Sequence, residues 1–185
     1  MPAVAACSET VLVIADADVW SDGIPEAVGE IEERKHQWAK PHRSVYRLTE
    51  KSTEQFIAGA DHRDLELERS RYFGVAGGGI VVARRETLLD VPMDPRFVGW
   101  GQEDAAWALA LSTLAGEPSA GKRDLIHLYH PAQPRLSARM GSTESWRLFR
   151  RYKSARRSPQ AMRSLLEEIH VDDPDQPAVH GSSPG

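Results

Sequence analysis

One short segment constrains the fold of this 185-residue chain more than any other: the apolar run VLVIA over residues 11–15, which ends directly on Asp16-Ala17-Asp18. A run of this length, rich in β-branched residues, is typical of a strand buried in an α/β sheet. Residues i and i+2 of an extended segment point to the same side, so the two carboxylates face one spot. Ligands of α/β folds bind beyond the carboxyl ends of strands. The segment therefore predicts an α/β sheet with an acidic site at one strand end.

The rest of the chain alternates helical and strand patterns, as this fold class requires. Apolar residues recur every three or four positions over 24–31, which predicts a helix with one buried face. A triple glycine over 77–79 leads into a strand that begins at Ile80. A loop followed by a strand that contains Val45 and Tyr46 is predicted over 38–48, and a further strand is predicted over 125–130. Further helices, the third of them amphipathic, are predicted over 52–58, 85–91, 102–114, 142–152 and 158–169.

Charge divides the chain into three parts, although the formal net charge is only −4. Residues 1–134 carry 14 basic and 21 acidic side chains, whereas residues 135–163 carry nine basic side chains and one acidic one. We expect residues 8–135 to form the α/β portion, 136–170 a basic helical extension and 171–185 a disordered, Pro/Gly-rich tail. A basic helix can contact nucleic acid, anionic lipid or phosphate groups, or it can simply present a solvated face.

Several classes of protein are excluded or disfavoured by composition. A single cysteine, Cys7, excludes an internal disulfide framework and a CxxC zinc site. No apolar run is long enough to cross a bilayer. The N-terminus has no charged region before its apolar stretch, which does not fit a secretory signal. We therefore expect a cytoplasmic globular protein.

The Asp16-Ala17-Asp18 motif suits a divalent cation. Carboxylate oxygens are hard ligands that Mn²⁺ and Mg²⁺ accept, and either ion can bridge a diphosphate. The same residues can also form a turn and cap the following helix, and the motif by itself leaves both interpretations open.

A second motif, Gly99-Trp100-Gly101-Gln102-Glu103-Asp104, places a tryptophan between two glycines at the start of a predicted helix. The glycines favour a flexible loop, and the indole is a flat apolar surface that can close over a sugar ring. Glu103 and Asp104 could instead only complement the positive end of the helix. That alternative explains the two acids but not the position of Trp100.

Two histidines, His127 and His130, fall in the strand predicted over 125–130. Because an i, i+3 pair points to opposite sides of a strand, we expect at most one of them to be a ligand and the other to pack or hydrogen-bond. Imidazole is a suitable further ligand for Mn²⁺. The spacing leaves open which histidine serves.

In order, the motifs resemble those of GT-A-fold nucleotide-sugar glycosyltransferases. They are the DxD after an apolar strand, GGGIVVARR over 77–85, DPRFVGWGQED over 94–104 and Tyr129-His130. The likeness is to family 2 enzymes and to the galactosyltransferase C-terminal region with its FxGWGxED signature, and it covers roughly residues 10–135. The FVGWGQED string is its specific part.

The resemblance implies a metal-dependent transferase that takes a UDP-sugar donor and a carbohydrate or glycoconjugate acceptor. Asp18, with Asp16 close by, matches the acid that binds the metal and the diphosphate. His130 matches the later metal-ligand histidine, with Mn²⁺ or Mg²⁺ as the cofactor. Gly78 and Gly79 match positions where the backbone approaches the donor or acceptor closely.

The same resemblance implies roles for the second motif. Trp100 matches the mobile-loop tryptophan that covers both sugars, and Glu103 matches the acid that binds acceptor hydroxyls. Asp104 matches the general base. A single displacement by the deprotonated acceptor hydroxyl then inverts the anomeric centre.

Fifteen residues precede Asp16, where the family has its nucleoside-binding strands, so we expect a chain that is N-terminally truncated relative to the family. Two alternatives remain. One is a noncatalytic glycosyltransferase remnant that binds an anionic partner through its basic helices. Nucleic acid is not the expected partner, because the aromatic residues of that segment follow a core-face spacing.

The other alternative is a haloacid-dehalogenase-like phosphatase with Asp16 as nucleophile and Asp18 as acid/base. Trp20 stands where that motif requires Thr or Val, which disfavours this interpretation.

Overall fold

The computed structural model describes residues 2–74, 77–131, 136 and 141–171, which form a six-stranded sheet with helices on both faces. The mixed α/β class predicted from the sequence is thereby confirmed. The strands are β1 (Val11–Ala15), β2 (Val19–Trp20), β3 (Trp38–Arg47), β4 (Tyr72–Phe73), β5 (Ile80–Arg84) and β6 (Ser119–His127). The α-helices are α1 (Pro2–Ala6), α2 (Ile24–Glu32), α3 (Glu50–Ile57), α4 (Arg85–Asp90), α5 (Glu103–Ala115), α6 (Thr143–Ala155) and α7 (Pro159–Val171), and a 3-10 turn spans His62–Asp64.

The sheet is mixed, in the order β1-β5-β3-β6-β2, with β4 paired to β3 off this path. β3 and β6 are parallel, and the remaining pairs are antiparallel. The β3–β6 register is irregular on both sides of His42. Pro41 lies at this point, and because proline has no N–H to donate, a bulge is where an inner strand can hold it.

The prediction that the VLVIA run is a buried strand is wrong. β1 is the edge of the described sheet and pairs with β5 alone, so Val13 is 41% exposed. Leu12 and Ile14 pack against one hydrophobic core and Val11 against the other. A strand with apolar contacts on both faces has the same composition at an edge as in the interior of a sheet. Its composition therefore does not show whether one or two neighbouring strands pair with it.

Two cores lie on opposite faces of the sheet. On β5, Val81 and Ala83 face the core that contains α5, α6 and α7, whereas Ile80 and Val82 face the core under α2. The predicted amphipathic helix is α5, but the residues it buries are not confined to one face. Those residues are Ala106, Trp107, Ala108, Ala110 and Leu111.

The basic segment forms α6 and α7, close to the predicted boundaries. Tyr152 and Met162 are fully buried in the same core as α5, so these helices are packed on the body of the domain. The tail predicted over 171–185 lies outside the described residues, apart from Val171, where α7 ends. None of the helices within the described ranges combines the length and the apolar composition needed to cross a bilayer.

A buried carboxylate connects the C-terminal helices to the segment that precedes Gly99. Arg96 donates to Asp94 through Nη2 (2.8 Å), and the Tyr152 hydroxyl donates to the same oxygen (2.8 Å). Arg96 also donates to Glu168 of α7 (2.9 Å). Burial and the Asp94 charge hold the pKa of Tyr152 above its usual value, so this hydroxyl remains a donor.

We expect Asp94→Ala to lower the free energy of unfolding by about 3 kcal/mol, because the substitution leaves Arg96 and Tyr152 without their shared acceptor. Glu144→Ala is the matched control, since Glu144 pairs with Arg147 on the surface, where their side chains are 74% and 72% exposed. It should change stability by less than about 0.5 kcal/mol. Urea denaturation followed by circular dichroism measures both, and equal effects would contradict this account.

Candidate functional site

The pairing of β2 with β6 brings the acidic motif beside the two histidines. Val19 lies opposite His127 in the antiparallel ladder. One residue further on, the Leu128 N–H donates to the Asp18 carbonyl (2.8 Å). The backbone of Asp18 is thus fixed next to the end of β6, where both histidines follow.

His127 and His130 point to the same place, and the prediction that they diverge is wrong. β6 ends at His127, so the alternation of a strand does not extend to His130. The two rings stack with centroids 5.3 Å apart at an angle of 24°. Nε2 of His130 lies 3.1 Å from Oδ2 of Asp18, and Nε2 of His127 lies 3.9 Å from the same oxygen.

Hydrogen bonds at the other ring nitrogen assign the tautomer of both histidines. Nδ1 of His127 lies 2.8 Å from the Leu128 carbonyl, and Nδ1 of His130 lies 2.9 Å from the Pro131 carbonyl. A carbonyl oxygen only accepts, so these contacts assign a proton to each Nδ1 and leave Nε2 of each ring directed at Asp18. Histidines that bind metals are commonly oriented by such a bond.

The Asp18–His127–His130 cluster has the composition of a cation site. Its three ligand atoms lie within 4.8 Å of one another. A carboxylate oxygen facing two imidazole lone pairs is favourable only when positive charge lies between them, either a proton or a metal ion. Arg47 supplies part of that charge, because its Nη2 donates to Nε2 of His130 (3.3 Å). A metal ion at this nitrogen has to displace the guanidinium.

Asp16 lies beside the cluster rather than in it. Its backbone N–H donates to the Gly79 carbonyl (2.9 Å), which joins β1 to the triple-glycine turn. Burial, followed by the Asp18 charge, raises the pKa of Asp16, while the two histidines act in the opposite direction.

A cavity of about 230 Å³ adjoins the cluster and contains most of the predicted binding residues. Asp16, Gly78, Gly79, Trp100 and Asp104 line it. Asp18, His130 and Glu103 do not, and His127 connects the cavity with the cluster. Several lining side chains belong to no sequence motif and were not predicted: His42, Arg47, Arg69 and Tyr72.

Asp104 is packed against the triple-glycine turn. A Cβ on Gly77 would lie 2.2 Å from the Asp104 carbonyl, and a Cβ on Gly78 would lie 2.9 Å from Oδ2. Only glycine permits so close an approach of this turn to α5. Burial, with the charges of Glu103 and Asp16 as further causes, raises the pKa of Asp104 to about 7.

Trp100 stands on a loop with unusual backbone geometry. Gly99, Gly101 and Gln102 all have positive φ, and the indole is 47% exposed next to the cavity. Glu103, the next residue of the motif, is the first residue of α5. Burial raises the pKa of Glu103, and hydrogen bonds with the backbone of Glu103 and Gly101 oppose this increase. Its Oε2 is buried without a hydrogen-bond partner among the described residues.

Comparisons with known proteins were made for the whole chain. No family model matches it, and no curated protein or solved structure matches it significantly.

The raised pKa of Asp104 predicts a pH-dependent cost in stability. The folded state favours the neutral acid, so stability that is fully present below about pH 4 is lost as the pH rises through about 7. Because Asn mimics the neutral acid at every pH, Asp104→Asn should raise the free energy of unfolding by roughly 2–4 kcal/mol at about pH 8 and by almost nothing at about pH 4.

The exposed Asp64 provides the control. Asp64→Asn should shift the urea midpoint equally at both pH values. A pH-independent effect of Asp104→Asn would show that the burial of Asp104 does not penalise its ionised form.

Proposed function

We propose that this chain is a metal-dependent, inverting glycosyltransferase of the GT-A type, which transfers a sugar from a UDP-sugar to a hydroxyl of a carbohydrate or glycoconjugate. The observation that carries the proposal is the Asp18–His127–His130 cluster, with both Nδ1 atoms bonded to carbonyls, which shares His127 with a cavity lined by Asp104. The mixed α/β sheet is compatible with this fold but does not distinguish it from others.

The donor set suits Mn²⁺, which accepts imidazole nitrogen as well as carboxylate oxygen. A divalent cation held by Asp18, His127 and His130 would neutralise the charge of a departing nucleoside diphosphate. Arg47 and Arg69 line the adjoining cavity and add positive charge for the phosphate oxygens. Arg47 would have to leave Nε2 of His130 when the ion binds. Its Nη2 would then be available to a phosphate, while its Nε is bonded to Glu68 (2.8 Å).

In the proposed reaction Asp104 serves as the base. With a pKa of about 7 it is partly ionised at neutral pH, which is the condition under which a carboxylate accepts a proton efficiently. In the proposed step Asp104 takes the proton of the acceptor hydroxyl as that oxygen bonds to the anomeric carbon. The bond from this carbon to the diphosphate oxygen breaks at the same time, with its electron pair leaving on the diphosphate. Trp100 would cover the sugar and exclude water.

A second candidate function is supported by the groove between α6 and α7, of about 630 Å³, which Arg147, Arg150 and Arg151 line. This groove favours a binding module for an anionic partner. Arg151 is already paired with Glu168 through two hydrogen bonds, which reduces the positive charge that the groove presents to an anionic partner. Affinity for a polyanion such as heparin that falls steeply with salt would support the module.

Metal binding provides the first test. We expect Mn²⁺, titrated into the full chain and followed by electron paramagnetic resonance, to bind at least about tenfold more weakly to Asp18→Asn than to the wild type, because the only carboxylate of the cluster is lost. Asp22→Asn is the matched control, since Asp22 lies near Asp18 in sequence but faces Arg123 at 3.8 Å. Equal Mn²⁺ affinity in Asp18→Asn and the wild type would remove the proposed metal site.

The pH dependence of the reaction provides the second test. Release of UDP from UDP-galactose, with Mn²⁺ and with acceptor sugars, should rise with pH through about 7 as Asp104 ionises. Asp104→Asn should lower the rate by about 10²–10⁴-fold while Mn²⁺ affinity stays unchanged. A rate that is flat from about pH 6 to 8, or an active Asp104→Asn variant, would contradict the assignment of Asp104 as the base.

A further inference from the structure

His42 is a buried histidine in the cavity wall that no step of the proposed reaction uses. It is 1% exposed, and its ring lines the cavity. Its Nδ1 is buried and has no hydrogen-bond partner among the described residues. A buried polar atom without a partner costs stability, so such a group calls for a reason outside the stability of the free protein.

The backbone is shaped to direct this ring. The β3–β6 register shifts on both sides of His42, directly after Pro41, and a bulge of this kind changes the direction of a side chain. Glycines lie against the ring: a Cβ on Gly74 would lie 3.2 Å from Nε2, and a Cβ on Gly79 would lie 3.5 Å from Cε1. A larger residue at position 74 would press on the ring, and one at position 79 would be in van der Waals contact with it.

The imidazole is neutral at physiological pH. Burial, followed by the nearby charge of Lys40, lowers the pKa of His42 to about 4. A neutral imidazole has one donor and one acceptor, so it can either donate a hydrogen bond to a hydroxyl group or accept one from it. The charged groups of the cavity suit phosphate, a cation or proton transfer instead. These groups are Asp16, Arg47, Arg69 and Asp104.

We propose that His42 binds a hydroxyl group of the sugar held in the cavity and thereby contributes to the choice of sugar. The inference rests on the proposed function and deepens it. It assigns to an uncharged sugar hydroxyl the histidine of the cavity wall whose buried Nδ1 has no partner among the described residues. A site built to hydrogen-bond a hydroxyl rejects ligands that lack it, since the ring is then left unpaired.

The test compares His42→Leu, which removes the donor and the acceptor, with His42→Gln, which keeps both in a neutral side chain. Isothermal titration with Mg²⁺ present measures the binding of UDP, of UDP-galactose and UDP-glucose, and of the methyl glycosides of glucose, galactose and N-acetylglucosamine. We expect the sugar that the wild type binds best to bind about tenfold more weakly to His42→Leu and within about threefold of wild type to His42→Gln. UDP alone should bind equally to all three proteins.

Thermal unfolding without ligand separates this role from a structural one. If the ring serves the ligand, His42→Leu should have a melting temperature equal to or above that of the wild type, because it removes an unpaired buried polar group. A structural histidine would give a lower melting temperature in both variants. His36→Leu is the control, since His36 lies outside the cavity. This substitution should change neither the sugar affinity nor the melting temperature.

The outcomes distinguish this inference from the proposed function. If the wild type binds UDP or a sugar and His42→Leu binds every sugar equally well, His42 has no binding role and the transferase proposal stands. If both variants lose stability and sugar affinity together, the residue is structural. If the wild type binds neither UDP nor any sugar, the proposed function fails and this inference fails with it.

Discussion

The antiparallel pairing of Val19 with His127 is the constraint on which the candidate site depends. It fixes the Asp18 backbone beside the end of β6, through the bond from the Leu128 N–H, and β6 in turn is held by its long parallel pairing with β3. A shift of one residue would turn every side chain of β2 to the other face of the sheet. The cluster therefore exists because a two-residue strand is held in one register.

The cavity beside the cluster concentrates groups that are unfavourable for stability. Asp104 is held partly neutral by burial, Glu103 and His42 each have a buried polar atom without a partner in the described chain, and Gln102 has a left-handed backbone. Buried, strained and unpaired groups are rare in ordinary cores and cluster where a protein binds or reacts. By contrast, the segment that precedes Gly99 is bonded to α6 through Asp94 and Tyr152 and to α7 through Arg96 and Glu168.

Local patterns predicted the fold class and most elements, because hydrophobic periodicity, glycine turns and helix caps act over a few residues. Local patterns did not predict the features that depend on strand pairing. The VLVIA run has the same apolar composition at an edge as in the interior of a sheet, and the directions of His127 and His130 depend on where β6 ends. The motifs indicated Asp16, Gly78, Gly79, Trp100 and Asp104, which the fold brings to one cavity. His42, Arg47 and Arg69 belong to no motif, and only the sheet and its connections bring them there. The GT-A family, the transferase activity and the cytoplasmic location remain predictions.

We propose that Asp18, His127 and His130 together hold a divalent cation beside the cavity in which the sugar would bind. Crystals of the full chain grown with MnCl₂ and UDP, and measured at the manganese absorption edge, test it most directly. We expect an anomalous peak for manganese at bonding distance from Oδ2 of Asp18 and Nε2 of both histidines. Arg47 should have moved from His130 towards a phosphate of UDP. A strong peak elsewhere, or ordered UDP with no peak at this cluster, would contradict it.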